Sequence, residues 1–284
     1  MKDYIATIVK NEKIAENIYA VTFLVDEDIK VRCGQFGDIS VGGTHLLRRP
    51  IAICKVDGRE ITFCYQIKGE GTQKLKTMVA GTRLNVLMPL GNGFFVEEEE
   101  KKIALVGGGV GVFPLISVLR EYYGEKIISA YIGYRNKDAV CGVEEFQKAT
   151  RFVGVTDDGS YGEQGFVTAK LQQLLESGRE YDEVLAIGPV PMMKFVCKTT
   201  EPFGVHTSVS LNPIMVDGTG MCGGCRVTVG GEVKFACVDG PEFDGHKVDF
   251  AELMSRNSTY RSREADVKET HACRMEKMGK ELIK

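Results

Sequence analysis

The chain has 284 residues, of which 43% are hydrophobic and 26% are charged, a composition typical of a folded protein and not of a disordered one. Its length predicts about two domains. The formal net charge of −3 argues against nucleic acid or an anionic membrane surface as the main partner. The 33 glycines, about 12% of the chain against a usual level of about 7%, predict places where the backbone approaches phosphates or a cofactor.

The sequence predicts neither a membrane span nor a secreted protein. Its longest uncharged run, residues 103–119, has 17 residues and includes four glycines and a proline, whereas a spanning helix needs about 20 mostly apolar residues. The first residues do not resemble a signal peptide, so we expect a cytoplasmic protein. Nine mostly scattered cysteines argue against a disulfide framework and favour a metal or redox site where they cluster.

Residues 1–98 are predicted to form an antiparallel β-barrel. Short stretches rich in β-branched and aromatic residues alternate with glycine-containing turns, and only residues 72–79 have a helical pattern. Two segments could hold a diphosphate: the run 48–53, Arg-Arg-Pro-Ile-Ala-Ile, and the Gly71-Thr72 turn that opens the helix. Each segment is ambiguous alone, because Arg-Arg-Pro is also typical of an exposed strand end.

Residues 99–213 alternate strands and helices after a charged linker, which predicts a doubly wound parallel sheet. A glycine-rich turn at 107–111 lies between a strand and a helix, the context in which such a turn binds a nucleotide phosphate. The loops containing Asp157-Asp158 and Gly188-Pro189 also follow strands, so we expect them at the same sheet edge. The second strand does not end in an acidic residue, so the choice between NAD and NADP stays open.

Residues 214–250 are predicted to form a small cofactor loop domain, followed by a helical tail at 251–284. Cys222, Cys225 and Cys237 match the spacing of a plant-type [2Fe–2S] site if Asp217 takes the first ligand position. A zinc site is the alternative, although structural zinc sites usually have two close cysteine pairs and only one is present here.

The order of these motifs resembles the ferredoxin–NADP reductase superfamily. More narrowly, the Arg-Arg-Pro run and the cluster spacing resemble the electron-transfer subunit of dihydroorotate dehydrogenase. Residues 210–225 and 237–243 resemble the small subunit of the NADH-dependent ferredoxin:NADP oxidoreductases, which are electron-bifurcating transhydrogenases. Two positions depart from the family pattern: Ala52 replaces a serine, and Ile187 replaces the cysteine usual before Gly-Pro.

The resemblance implies three cofactor sites. FAD would lie against Arg49, Pro50, Ile51, Ala52, Tyr65, Gln66, Gly71 and Thr72. NAD(H) would lie against Gly108, Gly109, Val110, Gly111, Asp157, Asp158, Gly188 and Pro189. A [2Fe–2S] cluster would be held by Asp217, Cys222, Cys225 and Cys237.

The implied activity is hydride exchange between NAD(H) and FAD, followed by single-electron transfer between FAD and the cluster. The resemblance also implies a heterodimer with a larger flavin and iron–sulfur subunit that carries the NADP site, with ferredoxin reached indirectly. Two alternatives stay open: the electron-transfer subunit of an NAD-dependent dihydroorotate dehydrogenase, and a zinc-bearing, non-catalytic interaction protein.

Overall fold

The structure is a computed structural model that describes residues 1–43 and 45–265. The predicted helical tail therefore lies partly outside the described residues. Within them, a barrel, a parallel sheet flanked by helices and a cysteine-bearing loop follow one another along the chain. None of the helices in this part of the chain is long and apolar enough to cross a membrane.

The first region is a closed antiparallel barrel of six strands in the order β1-β2-β5-β4-β3-β6, as predicted. Its elements are β1 (Lys2–Ala15), β2 (Ile18–Leu24), β3 (Phe36–Ile39), β4 (Arg49–Asp57), β5 (Glu60–Gln66), α1 (Glu70–Lys76) and β6 (Arg83–Leu90). Alternate residues of β6, from Leu84 to Leu90, are buried, which is the period-2 pattern of a strand with one face toward the core. The helix covers 70–76 instead of the predicted 72–79.

The second region is a sheet of seven strands in the order β10-β9-β8-β7-β11-β12-β15. Its strands are β7 (Lys102–Gly108), β8 (Ile127–Tyr134), β9 (Arg151–Thr156), β10 (Glu163–Gln164), β11 (Glu183–Ile187), β12 (His206–Ser210) and β15 (Glu242–Asp244). Its helices are α2 (Val112–Tyr122), α3 (Val143–Phe146), α4 (Val167–Glu176) and α5 (Val190–Thr200). All strand pairs are parallel except β12–β15, so the predicted doubly wound sheet is present with one antiparallel edge.

The chain reverses its direction of sheet growth between β7 and β11. Strands β8 to β10 extend the sheet on one side of β7, whereas β11 and β12 extend it on the other side. At such a switch point the loops at the carboxyl ends of two neighbouring strands diverge and leave a crevice. Here those ends are Gly108 and Ile187, which begin the two predicted nucleotide loops.

The cysteine-bearing loop packs against both preceding regions. The hairpin β13 (Arg226–Val229) and β14 (Glu232–Phe235) follows Cys225, and the helix α6 (Phe250–Asn257) comes after β15. Cys225, Ala236 and Cys237 share a small buried cluster with Phe36 and Leu90 of the barrel. Strand β15, which lies in the segment 214–250, joins the sheet by pairing with β12. The loop is therefore held beside the barrel.

Candidate functional site

A cavity of about 580 Å³ lies where the barrel, the switch point of the sheet and the segment before the cysteine loop meet. Most of the predicted FAD and NAD(H) residues line it: Arg49, Pro50, Ile51, Ala52, Tyr65, Gln66, Thr72, Gly108, Gly109, Val110, Gly111, Gly188 and Pro189. Residues that are 140 positions apart in the chain thus share one space. Its wall is mainly apolar with a few polar groups, as expected of a cofactor site.

The two adjacent arginines point to different places. The guanidinium of Arg49 lines the cavity and lies so close to Gly71 that a Cβ there would collide with it. In contrast, Arg48 donates to the backbone oxygen of Asp38 at 3.2 Å and pairs with Asp3 at 3.2 Å. A larger residue at position 71 would displace the Arg49 guanidinium, and Arg49 is the arginine available to a diphosphate in the cavity.

The barrel side of the cavity is stiffened by two side chains. The hydroxyl of Thr72 accepts N–H groups of Lys68 and Gly69 at 3.0 and 3.2 Å, so it orders the turn that leads into α1. The hydroxyl of Tyr65 donates to Asn11 at 3.1 Å, and burial raises the pKa of Tyr65 to about 12. Tyr65 is therefore a neutral, fixed wall residue.

The sheet side of the cavity depends on a close approach of two turns. A Cβ on Gly111 would lie 2.6 Å from the carbonyl carbon of Ile187 and 2.8 Å from the nitrogen of Gly188. Only glycine lets the turn after β7 lie directly against the turn after β11. The backbone of these turns therefore faces the cavity, and the turn after β7 leads directly into α2. The free N–H groups at the start of a helix favour the binding of an anion.

Asp157 and Asp158 lie at the carboxyl edge of the same sheet but do not line the cavity. They follow β9, which is two strands away from β7. Neighbouring strands are about 4.8 Å apart, which places this loop about 10 Å along the edge from the glycine turn. Asp158 accepts the hydroxyl of Ser160 at 2.6 Å, and this bond holds the pKa of Asp158 below its usual value.

Three of the predicted cluster ligands, Asp217, Cys222 and Cys225, lie in one loop, and Cys237 follows the β13–β14 hairpin. The Sγ atoms of Cys225 and Cys237 are 3.2 Å apart as free thiols, both buried, whereas Cys222 is exposed. Asp217 accepts the N–H groups of Thr219 and Cys222 at 2.8 and 2.9 Å, and the first of these bonds keeps its pKa below the usual value. Asp217 is therefore ionised at neutral pH, as a metal ligand must be.

The donor set of this loop fits an iron–sulfur cluster. Burial raises the pKa of the Cys237 thiol to about 12, so its thiolate needs a cation beside it, which cluster iron would supply. Gly218 has a φ of +72° and Gly220 a φ of +86°, a conformation that glycine adopts without strain. These conformations let the loop turn sharply between Asp217 and Cys222.

Sequence reasoning missed one wall of the cavity. The segment from β12 to the cysteine loop lines it with Ser210, Leu211, Asn212, Pro213 and Met215, and Gly34, Phe36 and Pro241 also contribute. The Asn-Pro pair directly after a strand was a signal for a loop at the sheet edge, but not for its contact with the barrel. This segment carries the chain from the cavity straight into the cluster loop.

Two family models match the chain. The iron–sulfur cluster binding domain of dihydroorotate dehydrogenase B matches residues 212–249, and the oxidoreductase NAD-binding domain matches residues 105–198. A dihydroorotate dehydrogenase B (NAD(+)) electron transfer subunit homolog of Thermotoga maritima is 42% identical, covering 90% of this chain and 92% of the relative. The electron transfer subunit of Clostridium perfringens is 33% identical, covering 88% of this chain and 99% of the relative.

Solved structures similar to this chain include oxidoreductases of related type. The structure of the NADH-dependent reduced ferredoxin-NADP oxidoreductase contains a chain that is 37% identical, with a TM-score of 0.85 over 94% of this chain and 98% of that one. Phthalate dioxygenase reductase, at 16% identity and a TM-score of 0.64, shows the shared fold alone. The chain therefore belongs to the family of dihydroorotate dehydrogenase B electron transfer subunits and their homologues, oxidoreductases of the ferredoxin–NADP reductase type that use FAD, NAD(H) and an iron–sulfur cluster.

Proposed function

We propose that the chain transfers electrons from NAD(H) through FAD to a [2Fe–2S] cluster and on to a larger partner subunit, in an enzyme of the NADH-dependent ferredoxin:NADP oxidoreductase type. The observation that carries the proposal is the single cavity lined by the barrel, by both nucleotide turns and by the segment that enters the cluster loop. The 37% identity and the 0.85 TM-score to a chain of the NADH-dependent reduced ferredoxin-NADP oxidoreductase support this proposal. The second candidate is the electron-transfer subunit of a dihydroorotate dehydrogenase, which the 42% identical relative of Thermotoga maritima supports.

Each cofactor has its proposed residues. FAD is held by Arg49, Pro50, Ile51, Ala52, Tyr65, Gln66, Gly71 and Thr72. NAD(H) is held by Gly108, Gly109, Val110, Gly111, Gly188 and Pro189. Asp157 and Asp158 contact the half of the dinucleotide that extends along the sheet edge. The cluster is held by Asp217, Cys222, Cys225 and Cys237.

In this proposal, the residues of the chain bind and orient FAD and NAD(H). The bound cofactors supply hydride acceptance at flavin and single-electron steps at the cluster. Arg49 neutralises the flavin diphosphate, and the glycine turns offer backbone N–H groups to the NAD(H) phosphates. Tyr65 and the apolar residues 50–52 of β4 line the cavity and exclude water from the ring systems.

The proposed partner binds beside the cluster. Cys222 is exposed, and next to it Met221 is 86% exposed, with Val216 and Val238 at 40% and 44%. Exposed apolar side chains grouped around a redox centre are typical of a docking surface. Their position beside the ligand loop would bring a partner's acceptor close to the cluster.

The first experiment is an anaerobic NADH titration of the purified chain with iron, sulfide and flavin assayed alongside. We expect flavin bleaching at stoichiometric NADH and about two irons per chain, as a [2Fe–2S] cluster requires. Colourless protein that contains zinc and no flavin would refute the proposal and leave a zinc-bearing interaction protein.

The partner is identified by affinity purification of the tagged chain from its native cells. A co-purifying subunit with flavin and iron–sulfur clusters supports the proposal, whereas a dihydroorotate-oxidising subunit would establish the alternative. Met221→Glu should reduce recovery of the partner at least tenfold with two irons per chain retained, because it places a charge in the apolar surface. Glu232→Gln, a matched exposed control on the hairpin, should leave recovery unchanged.

A further inference from the structure

Three potential metal ligands meet at the edge of the sheet opposite the cofactor cavity. One ligand atom each from Glu100, Glu183 and His206 lies within 4.8 Å of the other two. Glu183 and Ile187 are the first and last residues of β11, so this edge is about 13 Å from the nucleotide turns at a strand rise of about 3.3 Å per residue. The cluster of side chains is therefore separate from the site described above.

The fold holds each of the three residues in place. Glu183 and His206 are the first residues of neighbouring parallel strands and pair directly in register. Glu100 belongs to the linker before β7, and its carboxylate accepts the N–H of Glu97 at 2.8 Å. Asp182 then fixes the linker by accepting the N–H groups of Lys101 and Lys102, each at 2.7 Å.

Among the described residues, His206 is the one basic side chain that pairs with the carboxylates of this group. The side chain of Glu183 is 1% exposed; its Oε1 accepts the hydroxyl of Ser208 at 2.7 Å and lies 3.2 Å from Nδ1 of His206. Its Oε2 is buried and has no hydrogen-bond partner among the described residues. In the part of the chain that the structure describes, no lysine or arginine pairs with Glu183 or Glu100.

A buried carboxylate oxygen without a partner is costly, and a second carboxylate beside it adds repulsion. A divalent cation would satisfy the free oxygen and offset both carboxylates at once.

We propose that Glu100, Glu183 and His206 form a binding site for a divalent transition metal of the Zn²⁺ type. Imidazole with carboxylates is a ligand set that zinc accepts, and three protein ligands leave a fourth position for water. His206 is 51% exposed, so an ion can reach the site from solvent. Bound metal would fasten the linker between the barrel and the sheet to two strands of the sheet.

The test is zinc binding to the full-length chain with FAD and its cluster loaded, after treatment with a chelator. Equilibrium dialysis against Zn²⁺, with zinc and iron counted by mass spectrometry, should give one zinc per chain while the iron count stays constant. His206→Ala and Glu183→Gln should each weaken zinc binding at least tenfold. Glu180→Gln is the matched control, since Glu180 lies near the same edge but is 82% exposed and forms an ion pair with Lys102.

The constant iron count excludes zinc that displaces iron at the cysteine loop. His206→Ala alters a half-exposed side chain, so it stays informative even where Glu183→Gln perturbs folding. The proposal is overturned when the wild-type chain binds no zinc at micromolar concentration, or when zinc binding is equal in His206→Ala and wild type. In either case Glu183 and His206 form only a hydrogen-bonded structural pair.

Discussion

Substitution of Gly111 by alanine tests the close approach of the two nucleotide turns. The new Cβ would lie 2.6 Å from the carbonyl carbon of Ile187 and 2.8 Å from the nitrogen of Gly188. These atoms belong to backbone at the end of a buried strand, so they cannot rotate away as a side-chain tip would. The turn after β7 must therefore move away from the turn after β11.

The expected cost is that of an overpacked core, about 1–3 kcal/mol. For a chain of this size, that loss lowers the apparent melting temperature by about 2–5 °C. Displacing the turn also moves the N–H groups that face the proposed NAD(H) phosphates. We expect the Kd for NADH to rise about tenfold or more, which corresponds to about 1.4 kcal/mol.

The assay compares thermal unfolding and NADH-dependent flavin bleaching in wild type, Gly111→Ala and a control. Gly133→Ala is the matched control, because Gly133 lies on the neighbouring strand and its Cβ would meet Val167 at an ordinary 3.4 Å. Gly133→Ala should behave like wild type. If Gly111→Ala melts within 1 °C of wild type (about 0.6 kcal/mol) and binds NADH equally well, the contact between the turns does not constrain the site.

Three further predictions concern the barrel, the cluster loop and a buried acid. Arg49→Ala should weaken FAD binding at least tenfold in a fluorescence titration while Arg48→Ala does not, because only Arg49 lines the cavity; equal losses would contradict this assignment. Asp217→Ala should lose iron but keep FAD, and an unchanged iron content would show that another group is the fourth ligand. Burial raises the pKa of Glu242 from 4.5 to about 7, so its neutral form favours folding below pH 4.5 and this stabilisation is lost as the pH rises through 7. As the pH rises from 4.5 to 8, the free energy of unfolding of Glu242→Gln in urea should therefore increase by about 2–3 kcal/mol relative to that of wild type. Free energies of unfolding that change in parallel with pH in the two proteins would refute this prediction.

Local signals in the sequence were sufficient for the barrel, the alternating strands and helices, and their order. Strands β7 and β11 are short apolar runs followed by glycine, and these patterns depend only on neighbouring residues. The spacing of the three loop cysteines also predicted the iron–sulfur domain that the family comparison supports, because a ligand loop is local in the chain.

Contacts between distant segments were decided by the tertiary structure alone. The role of Arg49 and not Arg48 depends on which face of β4 meets α1, and two adjacent arginines look alike in sequence. Likewise, the wall formed by residues 210–215 arises because β15 pairs with β12 and draws the cysteine loop against the barrel. Lone residues such as Glu183 and His206 show no motif spacing; they meet only because two parallel strands begin side by side, and strand order is a property of the whole fold.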